Sequence, residues 1–167
     1  SGRYGLAEVY LSQNDLVNAR FAIKAALQYD LINGDYSGTA LHGIIALRQR
    51  EKETAQEAFT KSIAQADEIL AKTPDFYSAL DAKGLAICGL ILCRGAGTAP
   101  KDAPTNDIGR GDPAPTIDDA IETFRKARKI APHAGIVKSN LRLFDELVKC
   151  EGGEILKDVR KAVEGVE

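Results

Sequence analysis

The sequence predicts an all-α protein, an α-α superhelix in which hairpins of two helices stack side by side. Apolar residues recur at spacings of three and four along most of the chain, which is the period of an amphipathic helix. No stretch shows the sustained alternation of apolar and polar residues that half-buried strands display. Small and bulky residues also recur at fixed intervals, and such self-similarity is typical of repeat architectures.

Turn and capping residues divide the chain into about eight helices. Asn14 or Asp15 is suited to cap the second helix at its start, and Gly34 is placed as the cap at its end. Thr116 has the position of another N-cap, with acidic residues in the turn that follows it. The predicted helices span residues 2–12, 15–32, 36–50, 52–72, 76–93, 116–130, 135–150 and 154–164.

Length and composition are those of one globular domain covering residues 1–167, with 44% apolar and 28% charged residues. The segment 94–115 departs from the helical pattern because it holds four of the six prolines and four of the fifteen glycines. We expect it to be a flexible surface insertion. Ser1-Gly2 resembles the remnant of an expression tag, so we expect the chain to be a piece of a longer protein.

The internal repeat is the most informative feature of the sequence. Each of three predicted hairpins carries a small residue in the middle of its first helix, and a small and then a bulky residue in its second helix. Removing about 24 residues between the two halves of the third copy restores the spacing of twelve found in the others. Close helix crossings are therefore expected at Gly43 against Ala55 and at Gly84 against Ala120, with Ile23, Phe59 and Phe124 filling the space towards the next hairpin.

This pattern resembles the tetratricopeptide repeat, whose signature combines W-x2-L-G-x2-Y, A-x3-F and P over about 34 residues. The best match is DDAIETFRKARKIAP at 118–132. The chain departs from the signature in lacking the first aromatic residue in every copy, and proline closes only the third copy on time. A different α-α repeat or a plain helical bundle is the alternative. The matching halves are Arg3-x2-Leu6-Ala7-x2-Tyr10, Thr39-x2-His42-Gly43-x2-Ala46 and Leu80-x2-Lys83-Gly84-x2-Ile87, followed by Ala19-x3-Ile23, Ala55-x3-Phe59 and Ala120-x3-Phe124.

The resemblance implies that the first helix of each pair lines a concave groove, with a divergent helix pair capping the C-terminal end. At the positions where some family members hold a peptide's carboxylates, this chain has no cation, so we expect no such clamp. A largely apolar groove suits the nonpolar face of an amphipathic helix or an extended apolar peptide. The predicted partner-binding residues are Tyr4, Glu8, Leu11, Ile44, Leu47, Arg48, Asp81, Leu85 and Cys88.

Self-burial is an equally weighted alternative for this groove. The chain's own C-terminal helix would then cover its apolar middle, or helices outside the sequence would do so. The same surface is also compatible with a homodimer.

Residue chemistry favours binding over catalysis. The chain has two histidines and no zinc-ligand spacing, and it shows no paired catalytic carboxylates, so no catalytic residue, metal or cofactor is predicted. A net charge of −2 argues against nucleic acid and against an anionic membrane. Three cysteines without framework spacing indicate reduced thiols and a cytoplasmic location.

The sequence thus predicts a protein-interaction scaffold whose partner is another protein or a peptide. A structural or sensor segment of a larger multidomain protein, such as a regulatory ATPase, is the first alternative. An enzyme or small-ligand carrier that uses the 94–115 segment as a lid is the second.

Overall fold

A computed structural model describes residues 4–29, 35–95 and 114–166, and all regular secondary structure in these ranges is helical. This confirms the predicted all-α class and the number of α-helices. Residues 30–34 and 96–113 lie outside the described residues. The first range contains the predicted cap Gly34, and the second contains most of the predicted 94–115 insertion. The helices are α1 Gly5–Ser12, α2 Leu16–Gln28, α3 Tyr36–Arg48, α4 Lys52–Lys72, α5 Tyr77–Arg94, α6 Ile117–Ile130, α7 Ala134–Val148 and α8 Lys157–Glu164, with a 3-10 turn at Gly153–Leu156 before α8.

Capping interactions explain two of the helix starts. The side chain of Asp15 accepts a hydrogen bond from the backbone N–H of Asn18 at 3.2 Å and begins α2. At α6 the hydroxyl of Thr116 accepts from the backbone N–H of Asp119 at 3.2 Å, and the Asp119 carboxylate accepts from the backbone N–H of Thr116 at 2.8 Å. This reciprocal pair is a capping box. It fixes the start of α6, whose preceding segment is rich in proline and glycine.

Consecutive helices pack against each other from α1 through α6, and α3 also contacts α5. The chain therefore forms three hairpins, α1/α2, α3/α4 and α5/α6, which stack as predicted for an α-α superhelix. First helices α3 and α5 lie side by side, so one face of the stack is made by first helices. The core runs along the stack and contains the fully buried rings of Phe59, Phe124 and Phe144.

Glycines and phenylalanine rings make close contacts between the helices. A Cβ on Gly43 would lie 2.6 Å from the ring of Phe59, and one on Gly84 would lie 2.6 Å from the ring of Phe124. Phe59 also fills the space above Gly89 of α5. The rings of the second helices thus occupy the space that a side chain on Gly43 or Gly84 would need.

The C-terminal helix pair does not extend the stack in the same way. Helix α7 packs against α3 and α5, on the face made by first helices, and α8 packs against α6 and α7. Arg128 of α6 donates a hydrogen bond to the carbonyl of Val163 in α8 at 3.3 Å, which ties the last hairpin to the C-terminal helix. The predicted C-terminal helix pair is therefore present, but its first helix packs across the face made by α3 and α5.

Gly84→Ala is expected to destabilise the protein by about 1–3 kcal/mol, because the added methyl group enters the space of the Phe124 ring. Gly135→Ala is the matched control, since nothing lies within 4 Å of the Cβ position at this helical glycine. It should leave stability unchanged or raise it by up to about 1 kcal/mol. Urea unfolding followed by circular dichroism measures both. Equal stability of the two variants would contradict the ring contact.

Candidate binding cavity

A cavity of about 520 Å³ opens between α1, α3, α5 and α7. Its volume is within the range of about 300–1,000 Å³ that is common for ligand sites. Four of the predicted groove residues line it, and they come from two elements. Helix α5 contributes Asp81 and Leu85, and the chain at and within α1 contributes Tyr4 and Glu8.

The cavity lies where α7 leaves part of the face of α3 and α5 uncovered. From α7 and the turn before it come Ile136, Asn140, Leu143 and His133, which close one side of the cavity. The floor is largely apolar, and hydroxyl groups from all four elements surround it. An apolar base with a few polar groups is the usual make-up of a binding pocket.

Four other predicted groove residues belong to the core. The side chains of Leu11, Ile44, Leu47 and Cys88 are buried, with 1%, 0%, 6% and 0% exposure. They share one apolar cluster with Phe144 and Leu147 of α7. In this structure these four side chains do not line the cavity, as in the self-burial alternative. Leu85, which does line it, is itself only 3% exposed and belongs to the same apolar cluster. Burial also raises the pKa of the Cys88 thiol above its ordinary range, so this thiol remains protonated.

Arg48, the ninth predicted groove residue, anchors α7. Its guanidinium forms an ion pair with the buried carboxylate of Glu146, and it also donates to the side chain of Asn14. Lys149 pairs with the second carboxylate oxygen of Glu146 at 2.9 Å. The predicted groove cation is therefore satisfied within the chain. Nothing in the sequence around Glu146 distinguishes it from the exposed acidic residues of other helices.

Asp81 carries the most unusual electrostatics of the cavity. The residue is 4% exposed, and its Oδ2 accepts from Arg128 at 2.5 Å and from Asn140 at 3.0 Å. Within the described residues, Oδ1 of Asp81 and Nε of Arg128 have no hydrogen-bond partner. Burial raises the pKa of Asp81 to about 6, even though Arg128 and Asn140 act in the opposite direction.

The buried pair of Asp81 and Arg128, together with Asn140, links three helices that are distant in sequence. Asp81 lies on α5, Arg128 on α6 and Asn140 on α7. Sequence reasoning placed Asp81 in the groove but gave no role to Arg128, which lies among several charged residues of α6. Burying Asp81 or Arg128 alone, as an unpaired charge, would cost several kcal/mol. Each of the two side chains is therefore buried together with the other.

His42 is a half-buried residue of the hairpin stack. It lies on α3, and its pKa is lowered by burial and then by the nearby cations Lys24 and Arg20 of α2. Across residues 4–29, 35–95 and 114–166, no cluster of three or more His, Cys, Asp or Glu side chains is arranged to hold a metal ion.

Comparisons with known proteins add no relative. The chain matches no family model, no curated protein and no solved structure. Within the described part of the chain, no helix has the length and apolarity needed to cross a membrane.

Asp81→Asn should change how stability depends on pH. The folded-state pKa of Asp81 is about 6 against 3.8 for the free group, so the folded protein holds the extra proton between these values. This contribution is complete below about pH 4 and is lost as the pH rises through 6. The wild type should therefore lose stability relative to Asp81→Asn between pH 4 and 7.

Chemical denaturation at several pH values, in constant salt, measures this difference. Glu53→Gln, on the exposed side of α4, serves as the control for loss of one carboxylate. A gain of wild-type stability relative to Asp81→Asn over the same pH range would show that pairing with Arg128 outweighs burial.

Proposed function

We propose that this protein is a protein-binding module of tetratricopeptide type, and that it takes a segment of a partner polypeptide into the cavity between α1, α3, α5 and α7. One observation carries the proposal. Tyr4, Glu8, Asp81 and Leu85 were predicted to face a partner, and all four line the same 520 Å³ cavity. A site of this size suits a short part of a peptide rather than a whole helix.

The proposed concave face, made by α3 and α5, also suits a ligand that is an amphipathic helix or an apolar peptide. Its middle accepts α7, an amphipathic helix that buries Phe144 and Leu147 against the stack. An apolar groove that packs against one amphipathic helix has the chemistry of the helix-in-groove mode of recognition. We therefore propose peptide binding without catalysis, next to the chain's own helix.

Free thiols support the proposed setting. Cys88, Cys93 and Cys150 are all unpaired, and burial raises the pKa of both Cys93 and Cys150 to about 11. Thiols of this kind are unreactive and are typical of a reducing compartment. We propose a cytoplasmic location on this basis.

A second candidate function rests on the outer face of α1. Leu6 and Val9 are 60% and 49% exposed, and their spacing of three places them on one side of the helix. The residues at the position of Val9 in the next two repeats are Ile45 and Ala86, and both are fully buried. A preceding helix would bury Val9 in the same way. This favours a structural segment within a larger assembly or a longer helical array.

Ser139→Trp tests the peptide site by filling it. Ser139 lines the cavity and is exposed on α7, so an indole there should obstruct the cavity without disturbing the core. A peptide selected on the wild type from a random 12-residue display library should bind Ser139→Trp at least about tenfold more weakly. Fluorescence polarisation with the synthetic peptide gives the dissociation constants.

Thr60→Trp is the matched control, because Thr60 is an exposed residue of α4 that does not line the cavity. It should bind the selected peptide with wild-type affinity. Failure to enrich any peptide, or equal affinity of the two variants, would contradict the proposed function.

A further inference from the structure

The buried carboxylate of Asp81 is only half satisfied. A carboxylate has two oxygens with about four acceptor positions, and both donors found here, Arg128 and Asn140, use Oδ2. Oδ1 is buried and has no donor among the described residues. A buried acceptor without a partner is costly, so a donor brought by a ligand or by water would stabilise this site.

The charges around the cavity favour a cation. Glu8 supplies a second carboxylate to its lining, and no described lining residue is Lys or Arg. Arg128 is committed to Asp81 and to the carbonyl of Val163. Since Arg128 compensates Asp81, the carboxylate of Glu8 leaves an excess of negative charge facing the cavity.

The apolar lining suits a hydrocarbon stem attached to that cation. Leu41, Leu85, Ile136 and Leu143 all contribute to the cavity. Long amphipathic side chains bury their methylene groups against such surfaces while the charged end finds a polar partner. An ammonium group fits the acceptors better than a guanidinium does. The planar guanidinium fork favours two oxygens of one carboxylate, whereas Oδ2 of Asp81 already has two donors.

We propose that the cavity binds a primary alkylammonium group, either a lysine side chain or the amino terminus of a peptide, with Asp81 and Glu8 as its acceptors. The inference rests on the proposed peptide-binding function and names the chemistry that this site selects. The ammonium donates to Oδ1 of Asp81 and to the Glu8 carboxylate, and its carbon chain lies on the leucines of the floor.

Three fluorescein-labelled pentapeptides test the inference. The first is acetyl-Ala-Leu-Lys-Leu-Ala, the second replaces lysine by norleucine, and the third has norleucine and a free amino terminus. Fluorescence polarisation with the full chain should show that the first or the third peptide binds at least about tenfold more tightly than the second. The first and third peptides distinguish the two sources of the ammonium group.

Glu8→Gln should remove most of this advantage, and Glu53→Gln, on the exposed side of α4, should leave it unchanged. Glu8 is half-buried, whereas Asp81 is buried. We therefore expect Glu8→Gln to disturb the fold less than Asp81→Asn does. Asp81→Asn is added as a second variant after circular dichroism has confirmed that it is folded.

Three results would overturn the inference. The first is that the acetylated norleucine peptide binds as tightly as the charged peptides. The second is that none of the three peptides binds at any concentration up to its solubility limit. Neither result decides the proposed function, which depends on whether Ser139→Trp weakens the library-selected peptide. An ammonium advantage that survives Glu8→Gln and Asp81→Asn would place the cation elsewhere and would also contradict the inference.

Discussion

The stack depends on phenylalanine rings that lie directly on glycine backbones. The ring of Phe59 lies between Gly43 of α3 and Gly89 of α5, so one side chain joins three helices. Phe124 repeats the contact on Gly84. Since a glycine has no Cβ, each ring approaches the helix backbone more closely than any other residue would allow. This close approach sets the spacing of the hairpins and brings α3 and α5 side by side.

The cavity follows from that spacing and from the position of α7. Once α3 and α5 are adjacent, they offer an apolar face that α7 covers in part. Two partly buried polar contacts hold α7 there, the ion pair of Arg48 with Glu146 and the hydrogen bond that Asn140 donates to Asp81. Such contacts fix position and orientation more than they add stability. The uncovered end of the face becomes the cavity, and the acidic residues at its edge give it its charge.

Local features of the structure could be predicted from the sequence. The capping residues Asp15 and Thr116 act on backbone groups within three residues, so their effect is encoded locally. The repeat register correctly identified the glycines at close crossings. It did not identify the phenylalanine rings as their contacts, because the register fixes which residues share a helix face, whereas the ring of Phe59, one turn beyond Ala55, reaches back over that face.

The parts that could not be predicted depend on contacts between distant residues. The apolar face of α7 predicts that this helix is packed, but it is equally suited to extending the stack and to crossing the concave side. That choice separates Tyr4 and Glu8, which line the cavity, from Ile44 and Cys88, which are in the core. Arg128 looks like a surface charge until its partner, 47 residues away, is known.

A double-mutant cycle between Gly43 and Phe59 tests the central contact most directly. Gly43→Ala, Phe59→Leu and the double variant are compared with the wild type by urea unfolding. If the ring occupies the space above Gly43, the alanine should cost much less in the leucine background, with a coupling energy of about 1 kcal/mol or more. Free energies that add within about 0.5 kcal/mol would show that the two residues do not meet, and would contradict this account of the stack.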